Sequence, residues 1–396
     1  MVPEGWKRLP LETVAQVRSG VAKGKSGLKD PITIPYLRVA NVQDGRVVLN
    51  EVKDIQIERH QLERYSLQYG DVLMNEGGDY DKLGRGDVWK EQIKPCLHQN
   101  HVFAVRPNSK LLDSFFLAAL AASNYGKTYF LSCAKRSTNL ASINSTQIKE
   151  FPVLLPPLPE QQKIAQILST WDQAITATER LLENSQQRKK GLMQQLLTGK
   201  KRLPGFEGEW EEFLIAELED KGWLKLGRGK VISKTDIENK PGQYPIYSSS
   251  VKNDGLMGAY GEFMFDEELI SWSVDGGGNF FYRPKHKFSV TNVSGYMRLD
   301  TDRLSYKFLA EQLGYLHERQ AFNYQTKAHP SVIRKLYRVK IPSLREQQKI
   351  AQVLAVTDAE VAANQVRLEC LKEEKKALMQ QLLTGKRRVQ VETEAA

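Results

Sequence analysis

The sequence predicts an α+β protein of two globular domains, separated by two long helices that form an antiparallel coiled coil. Three observations predict it. EQQKIAQ occurs at Glu160–Gln166 and again at Glu346–Gln352. LMQQLLTGK occurs at Leu192–Lys200 and at Leu378–Lys386, with the same 186-residue separation as the first pair. Each repeated segment follows a long stretch of mixed strand and helix character, and those two stretches share no alignable identity. The chain therefore reads as a pseudo-twofold internal repeat. It divides into globular domains over 1–157 and 202–342, repeated helices over 158–201 and 343–388, and a disordered tail over 389–396.

The length of 396 residues exceeds one ordinary core, and two or three domains are expected. Hydrophobic residues at 41% and charged residues at 26% suit a folded chain rather than a disordered one. No apolar run of about 18 residues could span a membrane. The start MVPEGWKRLPLETV lacks an export signal, so a cytoplasmic protein is expected. Cys96, Cys133 and Cys370 lie too far apart for a disulfide framework, which fits a reducing compartment. A net charge of +10 points to an anionic partner, with nucleic acid first among them.

The helices follow from periodicity. In the first copy Ile164, Leu168, Trp171, Ile175, Thr178, Leu182, Ser185, Lys189, Leu192 and Leu196 recur at alternating spacings of four and three. Ile350, Leu354, Thr357, Val361, Asn364, Leu368, Leu371, Lys375, Leu378 and Leu382 do so in the second. A 3.5-residue period held over five heptads is the seam of a coiled coil. Pro156, Pro157 and Pro159 suit a helix start, and Ser343 with Glu346 has capping-box spacing. Gly199 and Gly385 suit left-handed helix ends. The polar seam positions cost stability but specify register and partner. End-to-end antiparallel pairing puts Lys189 near Ala355 and Lys375 near Ser169, where small residues let each lysine stem reach water.

The globular stretches enter and leave alike, through Gly5–Trp6 and FPVLLPPLPEQQ in one, Gly208–Trp210 and YRVKIPSLREQQ in the other. Inside, YLRVANV, VVLNEV, DVLMNE, HVFAVRP, YPIYSSS, GEFMF and SVTNVSGYMRL read as strands. SFFLAALAAS and SYKFLAEQLGYLHERQ read as helices.

Catalytic signatures are missing. Gly24–Lys25–Ser26 has Ser19 where a P-loop needs glycine, and VDGGGN opens no helix. The amino-methyltransferase signature, G-x-S-x-G and H-E-x-x-H do not occur. Cys96, His98 and His101 have ligating side chains but no second cluster, so no metal is expected and a turn or polar contact suits His101 better. Polar, basic and aromatic residues do gather in loops suited to reading base edges and phosphates. In the first domain these are Tyr36, Arg38, Asn41, Asn75, Asp79, Lys82, Arg85, Lys135, Arg136 and Asn139. In the second they are Tyr247, Ser248, Ser249, Trp272, Asn279, Tyr324, Gln325 and Lys327. On residues alone the chain reads as a binding and architectural protein.

Two unlike domains, each followed by a helix opening in PPLPEQQKIAQIL or PSLREQQKIAQVL and closing in LMQQLLTGK, resemble the DNA specificity subunits of type I restriction–modification systems. The resemblance covers the whole chain. It implies that each domain is a target recognition domain reading one half of a split, asymmetric site in double-stranded DNA. It implies that the coiled coil sets the spacer and docks two adenine methyltransferase subunits, with restriction–translocase subunits completing the enzyme. Catalysis and cofactors (S-adenosylmethionine, ATP, Mg2+) then belong to the partners and none to this chain. A structural coiled-coil adaptor without DNA specificity is the alternative, and a stand-alone nuclease or methyltransferase lacks its motifs.

Overall fold

The computed structural model describes residues 2–22, 27–78, 83–84, 86–136, 141–250, 252–274, 279–320 and 328–391. The chain forms two compact units. One comprises residues 1–179 and 367–396, the other residues 180–366.

In the first unit the entry and exit strands, Lys7–Pro10 and Pro152–Leu155, pair antiparallel. Strand Val102–Pro107 lies between Ala15–Ser19 and Val72–Asn75, antiparallel to both. Pro31–Leu37 pairs with Lys53–Glu58 and, in parallel, with Leu97–His98. Lys135–Arg136, Ala141–Ser142 and Gly77–Gly78 form a small sheet, and Val42–Gln43 pairs antiparallel with Arg46–Val47. Helix Ser114–Ala122 begins where the Asp113 carboxylate accepts from the Phe116 N–H at 2.8 Å. Its Phe116, Leu117 and Leu120 share a core with Phe130, Phe151 and Val153. Val39–Asn41, read as strand, is a 3-10 turn, because the Asn41 side chain supplies the turn's hydrogen bonds.

The second unit repeats the frame around a different filling. Glu211–Leu214 pairs antiparallel with Arg338–Ile341. Between them a six-stranded sheet runs in the order Leu224–Arg228, Ser294–Leu299, Phe265–Ser273, Phe280–Val290, Tyr244–Tyr247, Leu256–Tyr260. The hairpin of Phe265–Ser273 and Phe280–Val290 is longer than the sequence suggests. Its charged segments face outward and hide the apolar alternation. Helix Tyr306–His317 buries Phe308, Leu309 and Leu313 in the core beneath.

The long helices span Leu158–Leu196 and Leu344–Leu382, each of 39 residues. At about 1.5 Å per residue each is roughly 58 Å long. Every seam position named above is buried or half-buried, with solvent-facing residues between. Ile164, Leu168 and Leu382 belong to the first unit's core, and Leu196, Ile350 and Leu354 to the second's. Hydroxyls at the seam are satisfied within their own helices. Thr178 donates to the Ala174 carbonyl, Ser185 to Leu182 and Thr357 to Val353. Pairing is antiparallel in both units. Asp172 meets Lys375 and Glu179 meets Lys372 in the first, while Ser185 meets Asn364 and Lys189 meets Asp358 in the second.

The register differs from the expected one by about a helical turn. Lys189 reaches Asp358 at 2.5 Å rather than passing Ala355, and Lys375 reaches Asp172 at 2.5 Å rather than passing Ser169. A carboxylate one turn further on gives the ammonium a partner that a small residue does not. The capping box also differs. The Ser343 hydroxyl accepts from the Glu346 N–H at 3.4 Å, but the Glu346 carboxylate turns to Arg202.

That last contact explains the repeated EQQ. In the second unit Glu346, with its side chain 1% exposed, accepts from Arg202 Nε and Nη2 at 2.7 and 2.6 Å. In the first unit Glu160 accepts in the same way from Arg388, at 2.6 and 2.7 Å. Gln161 and Gln347 are fully buried. Gln161 Oε1 accepts from the Asp113 N–H, and its Nε2 donates to the carbonyls of Leu111 and Pro156. Gln347 does the same for Ser305, Arg303 and Pro342. Each glutamine thus holds the residue that caps its own domain's helix. The glycine ends pack on the entry tryptophans. A Cβ at Gly385 (φ +68°) would stand 2.3 Å from Pro3, and one at Gly199 (φ +71°) 3.3 Å from the Trp210 ring.

Candidate nucleic-acid interface

In the first unit Lys135 and Arg136 are exposed on their short strand. They rim a hollow of about 530 Å³ that is also lined by Glu76, Gly77, His101 and Ser142. The imidazole Nδ1 of His101 meets the Glu76 carboxylate, and both side chains remain partly exposed. Glycines at 77 and 78 keep the sheet backbone open at its floor. The hollow presents a carboxylate acceptor, an imidazole and two cations together, a set that can meet base edges and phosphates. Glu76 was not singled out in the sequence, since nothing local marks it. Arg38 is half-buried and donates to Glu51 at 3.2 Å.

Four candidates are corrected by burial. Tyr36 is 2% exposed and packs with Ile57 and Leu97. Asn41, 3% exposed, uses its side chain on the Arg38 N–H and on the carbonyls of Val48 and Glu51. Asn75 is fully buried and donates to the Val42 carbonyl at 2.8 Å. Trp272, 1% exposed, donates its indole N–H to the Ala328 carbonyl inside the second core. None of these side chains presents itself to a duplex. Asp79, Lys82, Arg85, Asn139, Tyr324, Gln325 and Lys327 lie outside the described residues.

In the second unit Tyr247 ends its strand, Ser248 and Ser249 follow it, and all three are half-buried. The Ser248 N–H donates to the Gly255 carbonyl at 2.8 Å, and its hydroxyl accepts from Thr291. The Tyr247 hydroxyl lies 3.2 Å from His286 Nε2. Asn279 is exposed, and its Oδ1 accepts from the Phe280 N–H. Arg283 was missed by sequence reading. Its guanidinium stacks on the Tyr247 ring at 3.7 Å although the residue is only 5% exposed. Burial pushes its pKa down to about 10, partly opposed by Tyr247 and Asp254.

The Cys96–His101 stretch is divided between core and surface. Burial raises the Cys96 thiol to about 12 and lowers His98 to about 4, where the neutral ring donates Nδ1–H to the Val102 carbonyl. Among the described residues no three His, Cys, Asp or Glu side chains cluster as metal ligands. No helix among them is long and apolar enough to cross a membrane.

The model of the type I restriction modification DNA specificity domain matches residues 3–184 and again residues 207–373. A protein of Methanocaldococcus jannaschii described as the MjaX type I restriction enzyme specificity subunit is 24% identical over 408 residues. That match covers 98% of this chain and 95% of the relative. The MpnII specificity subunit of Mycoplasma pneumoniae is 32% identical over 158 residues, 39% of this chain and 46% of that one. Among solved structures, the type I S subunit from M. genitalium aligns with TM-score 0.61 and 15% identity, over 96% of each chain. The HsdS subunit from Thermoanaerobacter tengcongensis aligns with TM-score 0.53 and 17% identity, over 97% of this chain and 98% of that one. Two matches of one domain model, falling on two units built in the same frame, place the molecule: this chain belongs to the type I restriction–modification DNA specificity family.

Proposed function

We propose that this chain reads a bipartite, asymmetric DNA target, one half through each unit, and contributes no catalysis of its own. The paired helices set the spacer and dock two adenine methyltransferase subunits. Methyl transfer from S-adenosylmethionine, and ATP- and Mg2+-dependent translocation and cleavage, belong to methyltransferase and restriction partners. The observation that carries the reading is the repeated lock. Glu160, Gln161 and Arg388 hold one domain, and Glu346, Gln347 and Arg202 hold the other in the same way. A frame conserved to the hydrogen bond around unlike fillings suits one kind of partner meeting two different sequences.

The test is to co-express the chain with an adenine methyltransferase subunit of its own system and map methylated adenines. Two fixed half-sites at constant spacing are expected, and the chain alone should transfer no methyl groups. Methylation without a bipartite pattern, or turnover by the chain alone, would overturn the proposal.

A further inference from the structure

Arg283 is the least ordinary residue of the second unit. A guanidinium removed from water is costly unless an anion compensates it. Arg283 forms no ion pair among the described residues. Its Nε instead donates to the Ser271 hydroxyl at 2.8 Å, and its Nη2 to the backbone carbonyl of Asp254. Tyr247 and Phe281 flank its plane at 3.7 and 4.8 Å.

The carbonyl it holds belongs to a strained turn. Asn253 and Asp254 are both left-handed, at φ 50° and 52°, and both are exposed. Two consecutive non-glycine residues in that region persist only where the surroundings over-determine them. Gly255, also left-handed at φ 81°, accepts at its carbonyl from the Ser248 N–H. One buried cation therefore joins Tyr247, where the chain leaves the sheet, to Asp254, where the loop returns. Among the described residues between them, Ser249, Ser250, Lys252 and Asn253 carry polar side chains. Strain held at an exposed polar turn by a buried charge that forms no ion pair among the described residues serves to fix a shape that packing alone does not select.

We infer that Arg283 is a positioning residue for DNA specificity: stacked on Tyr247 and bonded to the Asp254 carbonyl, it fixes the loop with which the second unit reads its half-site. The inference rests on the proposed function. It assigns the loop's display to the duplex and leaves Arg283 itself beneath the interface.

The experiment uses the full chain assembled with its methyltransferase. Methylation is measured on duplexes carrying the mapped target and every single-base variant of each half-site. Lys135→Ala and Arg136→Ala in the first unit identify the other half-site. Arg283→Met should lower discrimination in one half-site about tenfold, the scale of one lost base contact. It should leave the other half-site within about twofold, since distant independent sites do not couple. Arg283→Lys, which keeps the charge but not the planar fork, should fall between. Asp254→Gly relieves the strain and keeps both the displayed side chains and the carbonyl that Arg283 holds. It should leave the melting temperature at or above that of the parent, yet loosen discrimination in the same half-site. Discrimination unchanged in all three variants, whatever happens to melting or total methylation, overturns the inference, and so does equal loss in both half-sites. A wild-type assembly with no bipartite target would instead refute the underlying reading.

Discussion

Replacing Gln347 by leucine tests whether the repeated glutamine holds each domain in place. The side chain is fully buried and makes three hydrogen bonds, from the Ser305 N–H at 2.8 Å and to the Arg303 and Pro342 carbonyls at 3.0 Å. Leucine fills the space but strands one donor and two acceptors. A stranded buried group costs about 1–3 kcal/mol, and carbonyls with a second lone pair fall at the low end. Apolar burial of leucine returns roughly 1 kcal/mol, leaving a net loss of about 3 kcal/mol. For a unit of this size that is a fall of about 6–12 °C in melting temperature. Amide hydrogen exchange should localise the effect. Protection should drop around residues 303–314 and 342–347, while the first unit's 111–122 stays protected. Gln161→Leu should produce the mirror pattern at similar cost, because it holds the equivalent three groups. Gln347→Glu should be worse than leucine, since a carboxylate cannot donate to the two carbonyls. An unshifted unfolding curve for Gln347→Leu, or equal loss of protection in both units, would refute the reasoning.

Arg202→Met strands the Glu346 carboxylate and should destabilise by about 2–4 kcal/mol, with Glu346→Leu added on top recovering most of it; a double-mutant cycle on urea midpoints measures the coupling. Lys189→Met should cost only about 0.5 kcal/mol, because both partners of its ion pair with Asp358 stay partly exposed, and the loss should vanish in high salt. His98, held neutral by burial at about 4 against 6.5, should make stability depend on pH. Its folded pKa lies below the unfolded one, so the contribution is complete above pH 6.5 and falls as pH drops towards 4. The slope should sum to about 3 kcal/mol and disappear in His98→Gln, as read from unfolding midpoints across that window. Inserting one heptad after Leu182 and one after Leu368 keeps the seam in phase and lengthens each helix by about 10 Å. Methylation should then fall on the original spacer, and selection from a spacer library should recover longer ones.

The amino-acid sequence alone determined what depends on neighbours along the chain. Seam periodicity placed both helices and the buried stripe that runs along each, because burial in a coiled coil repeats every 3.5 residues whatever the partner. Gly199 and Gly385 marked the helix ends for a similarly local reason. Only the tertiary structure decided what each repeated residue is for. The glutamate and first glutamine of each EQQ lie off the apolar seam, yet they are buried because Arg202 and Arg388 close over the glutamates and cap backbones need the glutamines. The helix register also waited for the fold, since the seam fits several turns and the pairs Lys189–Asp358, Lys375–Asp172 and Ser185–Asn364 show which one is taken. Composition brought Tyr36, Asn41, Asn75 and Trp272 together with true surface residues. A polar or aromatic side chain in a loop-like segment has the same letter whether it faces water or a backbone carbonyl. Arg283 shows the converse. Strand charges are ordinarily solvated, and the stacking of Tyr247 with the Ser271 hydroxyl and the carbonyl of Asp254 makes this one a buried support.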